Sequence, residues 1–188
     1  MLVSAVVVLS AASACSSGSA PPRQTSTVTV TPSSSSAPSP QPSPAPTLPA
    51  AAQQPTRPGA EAFARYFFEI YNYAFWNADP APLQAISDPS CVYCESVASG
   101  VKDMRSKGNR VEGGRIFVST AAAAPGDPRR GLLVNLILSQ DDGRTLSTSG
   151  TVVGTTQARR NGRADVAARW RETGWVMLDV HLLRDGET

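Results

Sequence analysis

The stretch AEAFARYFFEIYNYAFW at residues 60–76 decides the predicted fold. Its apolar residues recur at helical spacing and form a single stripe, made of Phe63, Tyr66, Phe67, Ile70, Tyr71 and Ala74. Phe75 and Trp76 widen this stripe near its end. The periodicity predicts an amphipathic helix that forms the main element of the hydrophobic core.

Two further helices are predicted downstream, and each starts with an aspartate followed by a proline. Asp79-Pro80 begins a short helix that ends near residue 86, and Asp88-Pro89 begins a longer one that ends near residue 107. An aspartate caps the free amides of a first helical turn, and proline suits its first position. The longer helix is amphipathic through Cys91, Cys94, Val97, Ala98, Val101 and Met104, and Gly108 suits its end.

From residue 116 the apolar period changes to two, which is typical of β-strands. Strands are predicted at residues 116–118, 132–138, from 145 onward, 164–170 and 175–183. Hairpin turns are predicted at Asp142-Gly143, Asn161-Gly162 and residues 172–174, with bends at Gly150 and Gly154. The predicted fold is α+β, in which the N-terminal helices pack on a curved antiparallel sheet.

The first fifteen residues predict export from the cytoplasm. An apolar run at residues 1–9 precedes five small residues and then Cys15, and the run is too short for a permanent anchor. The arrangement resembles the lipobox of bacterial lipoproteins, whose cysteine is lipidated and becomes the mature N-terminus. The resemblance implies a signal peptide over residues 1–14 and a domain anchored at Cys15 to the outer face of the cell membrane. An ordinary cleaved signal peptide is the alternative.

Residues 15–58 are rich in proline and serine and contain few large apolar side chains. Such a segment cannot offset the entropy of ordering, so it is predicted to be a disordered linker. A proline-rich ligand or glycosylation target is the alternative for this segment. Residues 59–188 are long enough for one domain with its own core. The net charge of +2 is spread along the chain without a basic cluster, and nucleic-acid binding would conflict with export.

The order of helices and strands resembles the nuclear transport factor 2-like superfamily, whose cystatin-like domains are cone-shaped. A narrower resemblance, to uncharacterised actinobacterial lipoproteins, rests on the lipobox-like start, the proline- and serine-rich linker, Tyr71-Asn72-Tyr73-Ala74 and the segment SDPSCVYC at residues 87–94. The narrower family implies no activity that can be transferred. The wider superfamily implies a possible homodimer through a sheet face.

Cys91 and Cys94 have the C-x-x-C spacing near the start of a predicted helix. A helix N-terminus lowers thiol pKa values, so a thiol oxidoreductase is one interpretation. A zinc site would need more ligands, and the chain offers only Cys15 and His181 besides these two. The favoured prediction is a structural disulfide in an oxidising compartment.

Asp179 and His181 lie two residues apart on the last predicted strand and therefore share a face. In SnoaL-like cyclases of the wider superfamily an aspartate and a histidine act as acid and base, so a small-molecule enzyme is an alternative function. The opposite face carries the apolar row Val176, Leu178, Val180 and Leu182. This row is predicted to pack on the helices, which would turn Asp179 and His181 outward.

Several aromatic residues could line a ligand cavity or simply fill the core, namely Tyr66, Tyr71, Trp76, Trp170 and Trp175. The sequence contains no glycine-rich phosphate loop, serine nucleophile elbow or H-E-x-x-H zinc motif, and no cofactor is predicted. We therefore expect a cell-envelope lipoprotein whose domain is a non-catalytic module that binds a ligand or an envelope protein.

Overall fold

The structure is a computed structural model and describes residues 44–183. A short 3-10 helix (Ala50–Gln53) precedes three α-helices: α1 (Arg57–Asn77), α2 (Ala81–Ala85) and α3 (Val92–Ser106). Seven strands follow: β1 (Arg110–Gly113), β2 (Ile116–Ala123), β3 (Leu132–Gln140), β4 (Gly143–Leu146), β5 (Val152–Thr156), β6 (Arg159–Arg171) and β7 (Gly174–Leu183). The predicted signal peptide, Cys15 and the linker up to residue 43 lie outside the described residues.

The strands form two antiparallel sheets, one with the order β2-β3-β6-β7 and a smaller one with the order β1-β4-β5. Helix α1 packs across the larger sheet, and its buried stripe includes Phe63, Phe67 and Ile70. The predicted α+β arrangement, with helices first and antiparallel strands after them, is confirmed.

Local signals set both ends of α1. The hydroxyl of Thr56 accepts a hydrogen bond from the amide of Gly59, and Pro58 lies in the first turn. At the other end Ala78 adopts a left-handed conformation with φ of 51° and closes the helix through its amide.

A polar stripe on α1 covers the outer edge of β2. An uncovered edge strand exposes unpaired amides and carbonyls that invite pairing with another chain. This stripe consists of Arg57, Glu61, Arg65 and Asn72. Its side chains form hydrogen bonds with backbone groups of Ile116, Val118, Ser119 and Ala123. The helix thus closes the sheet edge while it supplies the core.

The domain begins earlier than predicted. The prediction placed residues 50–58 in the linker, but Ala52 is buried and the Trp175 indole donates a 3.0 Å hydrogen bond to the carbonyl of Gln54. A side chain at Gly59 would collide with the same carbonyl oxygen. The absence of a side chain at Gly59 therefore permits this segment to lie close to α1.

Helices α2 and α3 begin later than predicted. Asp79 and Asp88 each bond an amide two residues ahead instead of capping a longer helix. At α3 the cap is Cys91, whose sulfur accepts a 3.2 Å hydrogen bond from the amide of Cys94.

Two predicted hairpin turns are wrong. Asp142-Gly143 links β3 to β4, which belong to different sheets, so it carries the chain from one sheet to the other. Asn161-Gly162 lies inside β6, where Asn161 has a φ of 53° beside a bulge opposite β3. The third predicted turn, at residues 172–174, is confirmed because it joins paired strands β6 and β7.

Three further strand predictions need correction. The strand that was predicted to start at Thr145 and bend at Gly150 is in fact two strands, β4 and β5, joined by a turn in which Gly150 has a φ of 81°. β2 continues past residue 118 to Ala123 because its alanines pair with β3. β1 was not predicted, since Arg110–Gly113 has no apolar alternation.

A bulge in β7 overturns the predicted apolar row. Met177 pairs with Ala168 and Asp179 pairs with Ala167, which leaves Leu178 as an extra residue. An extra residue shifts the inward and outward alternation by one position.

The burial of β7 follows this shift. Before the bulge Trp175 and Met177 are buried, and after it Val180 is buried. The other members of the predicted row, Val176, Leu178 and Leu182, are half-buried or exposed.

Candidate functional site

The candidate site is a cleft between the C-terminal half of α1 and the strands β1, β2, β4 and β5. It consists of two neighbouring depressions of about 150 Å³ and 200 Å³ that share Asn72. We call them together the aromatic cleft. Its lining residues are Arg65, Phe68, Glu69, Tyr71, Asn72, Phe75, Trp76, Val111, Gly113, Gly114, Arg115, Ile116, Phe117, Val118, Gln140, Arg144, Thr145 and Thr156.

Helical spacing places the aromatic rings of the cleft. Tyr71 and Phe75 are four residues apart on α1, and their ring centroids are 4.9 Å apart. The indole of Trp76 donates a 3.1 Å hydrogen bond to the carbonyl of Gly113. That bond holds the ring in place although 46% of Trp76 is exposed.

Glycines shape the floor of the cleft where β1 turns into β2. Gly113 and Gly114 have φ values of 72° and 70°, which other residues adopt at a cost. A side chain at Gly113 would collide with the carbonyl of Asp142. The absence of a side chain at Gly113 therefore permits close contact between β1 and the start of β4 at the floor of the cleft.

Three tyrosine hydroxyls have no hydrogen-bond partner within residues 44–183, namely those of Tyr71, Tyr73 and Tyr93. Every fully buried side-chain oxygen within residues 44–183 has a hydrogen-bond partner. The unpaired tyrosine hydroxyls are therefore at least partly accessible to solvent. Burial raises the pKa of Tyr71, and burial together with Tyr71 raises the pKa of Tyr93. Both phenols are therefore neutral at physiological pH and can donate or accept a hydrogen bond.

Glu112 anchors arginines beside the cleft. Its carboxylate accepts hydrogen bonds of 2.8 Å and 2.9 Å from Arg144 and a 3.4 Å bond from Arg110. The hydrogen bond from Arg144 is the main cause that lowers the pKa of Glu112. Glu112 is therefore ionised at neutral pH and fixes Arg144 at the rim.

The structure separates the aromatic residues that the sequence groups as possible ligand-lining residues. Tyr71 and Trp76 line the aromatic cleft, whereas the other three pack near the 3-10 helix. The hydroxyl of Tyr66 donates to the carbonyl of Pro46 at 3.3 Å, and Trp170 meets Trp175 edge-on at 5.6 Å.

Asp179 and His181 are both exposed on β7. The Asp179 carboxylate accepts a 2.9 Å hydrogen bond from the next amide, and His181 lies opposite Asp165 in the β6–β7 register. General acid–base catalysis benefits from a site that excludes water, and this face of the sheet does not provide one.

Cys91 and Cys94 form a disulfide, and both residues are buried. The bridge lies at the first turn of α3 beside a depression of about 250 Å³. Thiol exchange requires access for an attacking thiolate, so burial favours a structural role.

Asp88 fixes the segment in front of the disulfide. Its carboxylate accepts hydrogen bonds from the amide and hydroxyl of Ser90 and pairs with Arg169 and Arg171 on β6. The bonds from Ser90, followed by the two arginines, lower the pKa of Asp88. Ionised Asp88 therefore stabilises the fold at neutral pH, and this contribution is lost as the pH falls through its lowered folded-state pKa.

Reduction of the Cys91–Cys94 disulfide is expected to lower the free energy of unfolding by about 2 kcal/mol, since a four-residue ring restricts the unfolded chain only slightly. A Cys91→Ser and Cys94→Ser double variant should show this loss in a denaturant titration. Efficient reduction of insulin by the wild-type protein, lost in the variant, would contradict a purely structural bridge.

Among the described residues, no group of three or more histidine, cysteine or acidic side chains could hold a metal ion. No helix in that part of the chain is long and apolar enough to cross a bilayer.

Several residues of the cleft were not predicted from the sequence, among them Asn72, Arg115 and Phe117. The helical spacing of the polar residues 57, 61, 65 and 72 on α1 was a usable signal for Asn72. Arg115 and Phe117 gave no signal, because their closeness to Trp76 depends on the turn at Gly113-Gly114.

Comparison with solved structures agrees with the fold. The intermembrane space region of the chloroplast protein ARC6 superposes with a TM-score of 0.51 at 14% identity, covering 68% of this chain and 96% of that one. Proteins described as having a cystatin-like fold match from Nostoc punctiforme (TM-score 0.40, 10% identity, 66% and 88% covered) and Caulobacter vibrioides (0.39, 16%, 68% and 88%). At these identities the likeness concerns the fold alone.

Comparison with protein sequences and family models identifies the family of the chain. No curated protein matches the chain. A family model described as "Family of unknown function (DUF6318)" matches residues 29–181, which is most of the chain. The chain therefore belongs to this family of unknown function, DUF6318.

Proposed function

We propose that the chain is a cell-envelope lipoprotein, anchored through Cys15 to the outer face of the membrane, whose domain binds a partner without catalysis. The lipobox-like start supports the anchor. The proline- and serine-rich composition of the roughly thirty residues after Cys15 is typical of linkers between an anchor and a domain.

The observation that carries the binding function is the chemistry of the aromatic cleft. An accessible, unpaired Tyr71 hydroxyl lies beside Phe75 and the exposed Trp76. Amphipathic aromatic residues of this kind are enriched at binding surfaces because they offer a large apolar area and a polar end.

The division of the cleft into two small depressions favours a macromolecular partner. Each depression is smaller than the roughly 300–1,000 Å³ typical of small-molecule sites. Two shallow depressions that share Asn72 can instead receive neighbouring side chains of an envelope protein. A homodimer is a further possibility, supported by Leu133 and Ile137, which are exposed on β3.

Replacing Cys15 with alanine is expected to release the protein from membranes, because the lipid would have no attachment site. Fractionation of cells that express the wild type and the variant measures this directly. The lipoprotein proposal fails if both proteins are equally soluble.

Site-specific photo-crosslinking in intact cells tests the binding function. A photo-reactive residue at position 117 is expected to trap a partner, and the same residue at position 133 is the control, since Phe117 and Leu133 are 46% and 47% exposed. The product at 117 should disappear in the Trp76→Ala variant.

Equal crosslinking at both positions, or a product that persists in Trp76→Ala, would contradict binding at the cleft. A product at 133 with twice the mass of the chain would instead support the homodimer through the sheet.

A further inference from the structure

We propose that the aromatic cleft recognises an acidic peptide segment in which a carboxylate neighbours an aromatic or leucine side chain, and that Arg115 binds the carboxylate. This inference rests on the proposed function and specifies the class of partner.

Arg115 is held in position without being neutralised. Its guanidinium carbon lies 5.2 Å from the ring centre of Trp76 and 5.3 Å from that of Phe117. Within residues 44–183, no carboxylate lies within 4.0 Å of this group. A guanidinium that lies over two aromatic rings loses little freedom on binding and still presents N–H donors to a carboxylate.

The charges that line the cleft favour an anionic partner. Three arginines and one glutamate line it: Arg65, Arg115, Arg144 and Glu69. Arg65 bonds the neutral backbone carbonyl of Val118 and so keeps its positive charge uncompensated there. Glu112 pairs with Arg144 and Arg110, and no carboxylate of residues 44–183 pairs with Arg115.

The apolar surface beside Arg115 indicates which kind of side chain neighbours the carboxylate in the bound peptide. Trp76 and Phe117 each expose 46% of their surface next to the same guanidinium. Tryptophan and arginine are the residue types most enriched at the centres of protein interfaces. An apolar side chain that follows or precedes the carboxylate would cover these rings.

A peptide fits this surface better than an anionic membrane does. Membrane surfaces are bound by clusters of about four to eight Lys and Arg. Here the unneutralised cations are only two, Arg65 and Arg115, and they flank a concave surface that contains Glu69. A concave surface with charges of both signs can bind an extended peptide whose alternate side chains face it.

The test compares two capped peptides, Ser-Glu-Phe-Glu-Leu-Ser and its neutral analogue Ser-Gln-Phe-Gln-Leu-Ser, titrated into the full chain. Shifts of the Trp76 indole N–H signal in ¹⁵N–¹H NMR spectra report binding. We expect the acidic peptide to bind about tenfold more tightly, the effect of one charge-assisted hydrogen bond. Arg115→Gln should remove this preference, whereas Arg105→Gln, at an exposed position on α3, should keep it.

Any other outcome would contradict the inference and indicate a different mode of binding. Equal binding of both peptides would leave a cleft that binds apolar segments without charge recognition. If neither peptide binds but phosphatidylglycerol vesicles retain the wild type and not Arg115→Gln, the surface binds lipid. If neither peptide binds while the crosslink at position 117 still depends on Trp76, the proposed function stands and the acidic partner class is wrong.

Discussion

Replacing Asn72 with leucine is expected to lower the free energy of unfolding by about 2–5 kcal/mol, the cost of two unsatisfied buried backbone groups. The Asn72 amide donates a 2.8 Å bond to the carbonyl of Ile116 and accepts a 2.9 Å bond from its amide. Only 7% of Asn72 is exposed, so water cannot readily replace these bonds. Leucine has a similar volume and therefore isolates the loss of hydrogen bonding.

Urea titration of the purified domain measures this loss, with Asn135→Leu as the matched control. Asn135 lies on the exposed face of β3 and bonds the Asp165 carboxylate at 2.7 Å. A surface substitution of this kind should change stability by only about 0.5 kcal/mol. Equal losses at both positions would show that Asn72 does not act as the partner of the β2 edge.

Replacing Met177 with alanine is expected to destabilise the domain by about 2–5 kcal/mol, because it leaves a cavity in a fully buried position. Leu178→Ala should cost about 1 kcal/mol or less, since Leu178 is half-buried beside the bulge. His181→Ala, at an exposed position, should change stability by no more than about 0.5 kcal/mol.

Thermal melts of these three variants distinguish the two possible faces of β7. A larger loss for Leu178→Ala than for Met177→Ala would contradict the bulge and restore strict alternation. A severe loss for His181→Ala would indicate that this side chain points into the core and would revive the acid–base enzyme.

The sequence was most informative where one period extends over a whole element. Helix α1 carries its apolar stripe over about four turns, and β3 alternates between buried and exposed residues along most of its length. Both elements were predicted close to their observed limits. The turn at residues 172–174 was also correct because its flanking strands pair directly across it.

The incorrect predictions occur where the folded structure uses a local sequence signal for a different feature. Asn161 adopts the left-handed conformation typical of a hairpin turn, but the structure uses it for a bulge inside β6. In β7 a single inserted residue, Leu178, reverses the alternation, and composition does not mark such a position. Both bulges depend on which strands pair with each other, and this pairing cannot be inferred from a single sequence.

The candidate site was predictable only in part. Tyr71 and Trp76 were grouped as possible ligand-lining residues, and both line the cleft. Arg115 joins them through long-range geometry, because β1 and β2 bring it under α1. The polar stripe on α1 was readable as a pattern, yet its role appears only when β2 lies beside it.

The most direct test of the central claim, that the aromatic cleft is the binding surface, is hydroxyl-radical footprinting of the protein in its native envelope and after purification. We expect Trp76 and Phe117 to be modified less in the envelope, while Leu133 and Ile137 react equally in both samples. Equal modification of Trp76 and Phe117 in both samples, or protection of Leu133 and Ile137 alone, would contradict it.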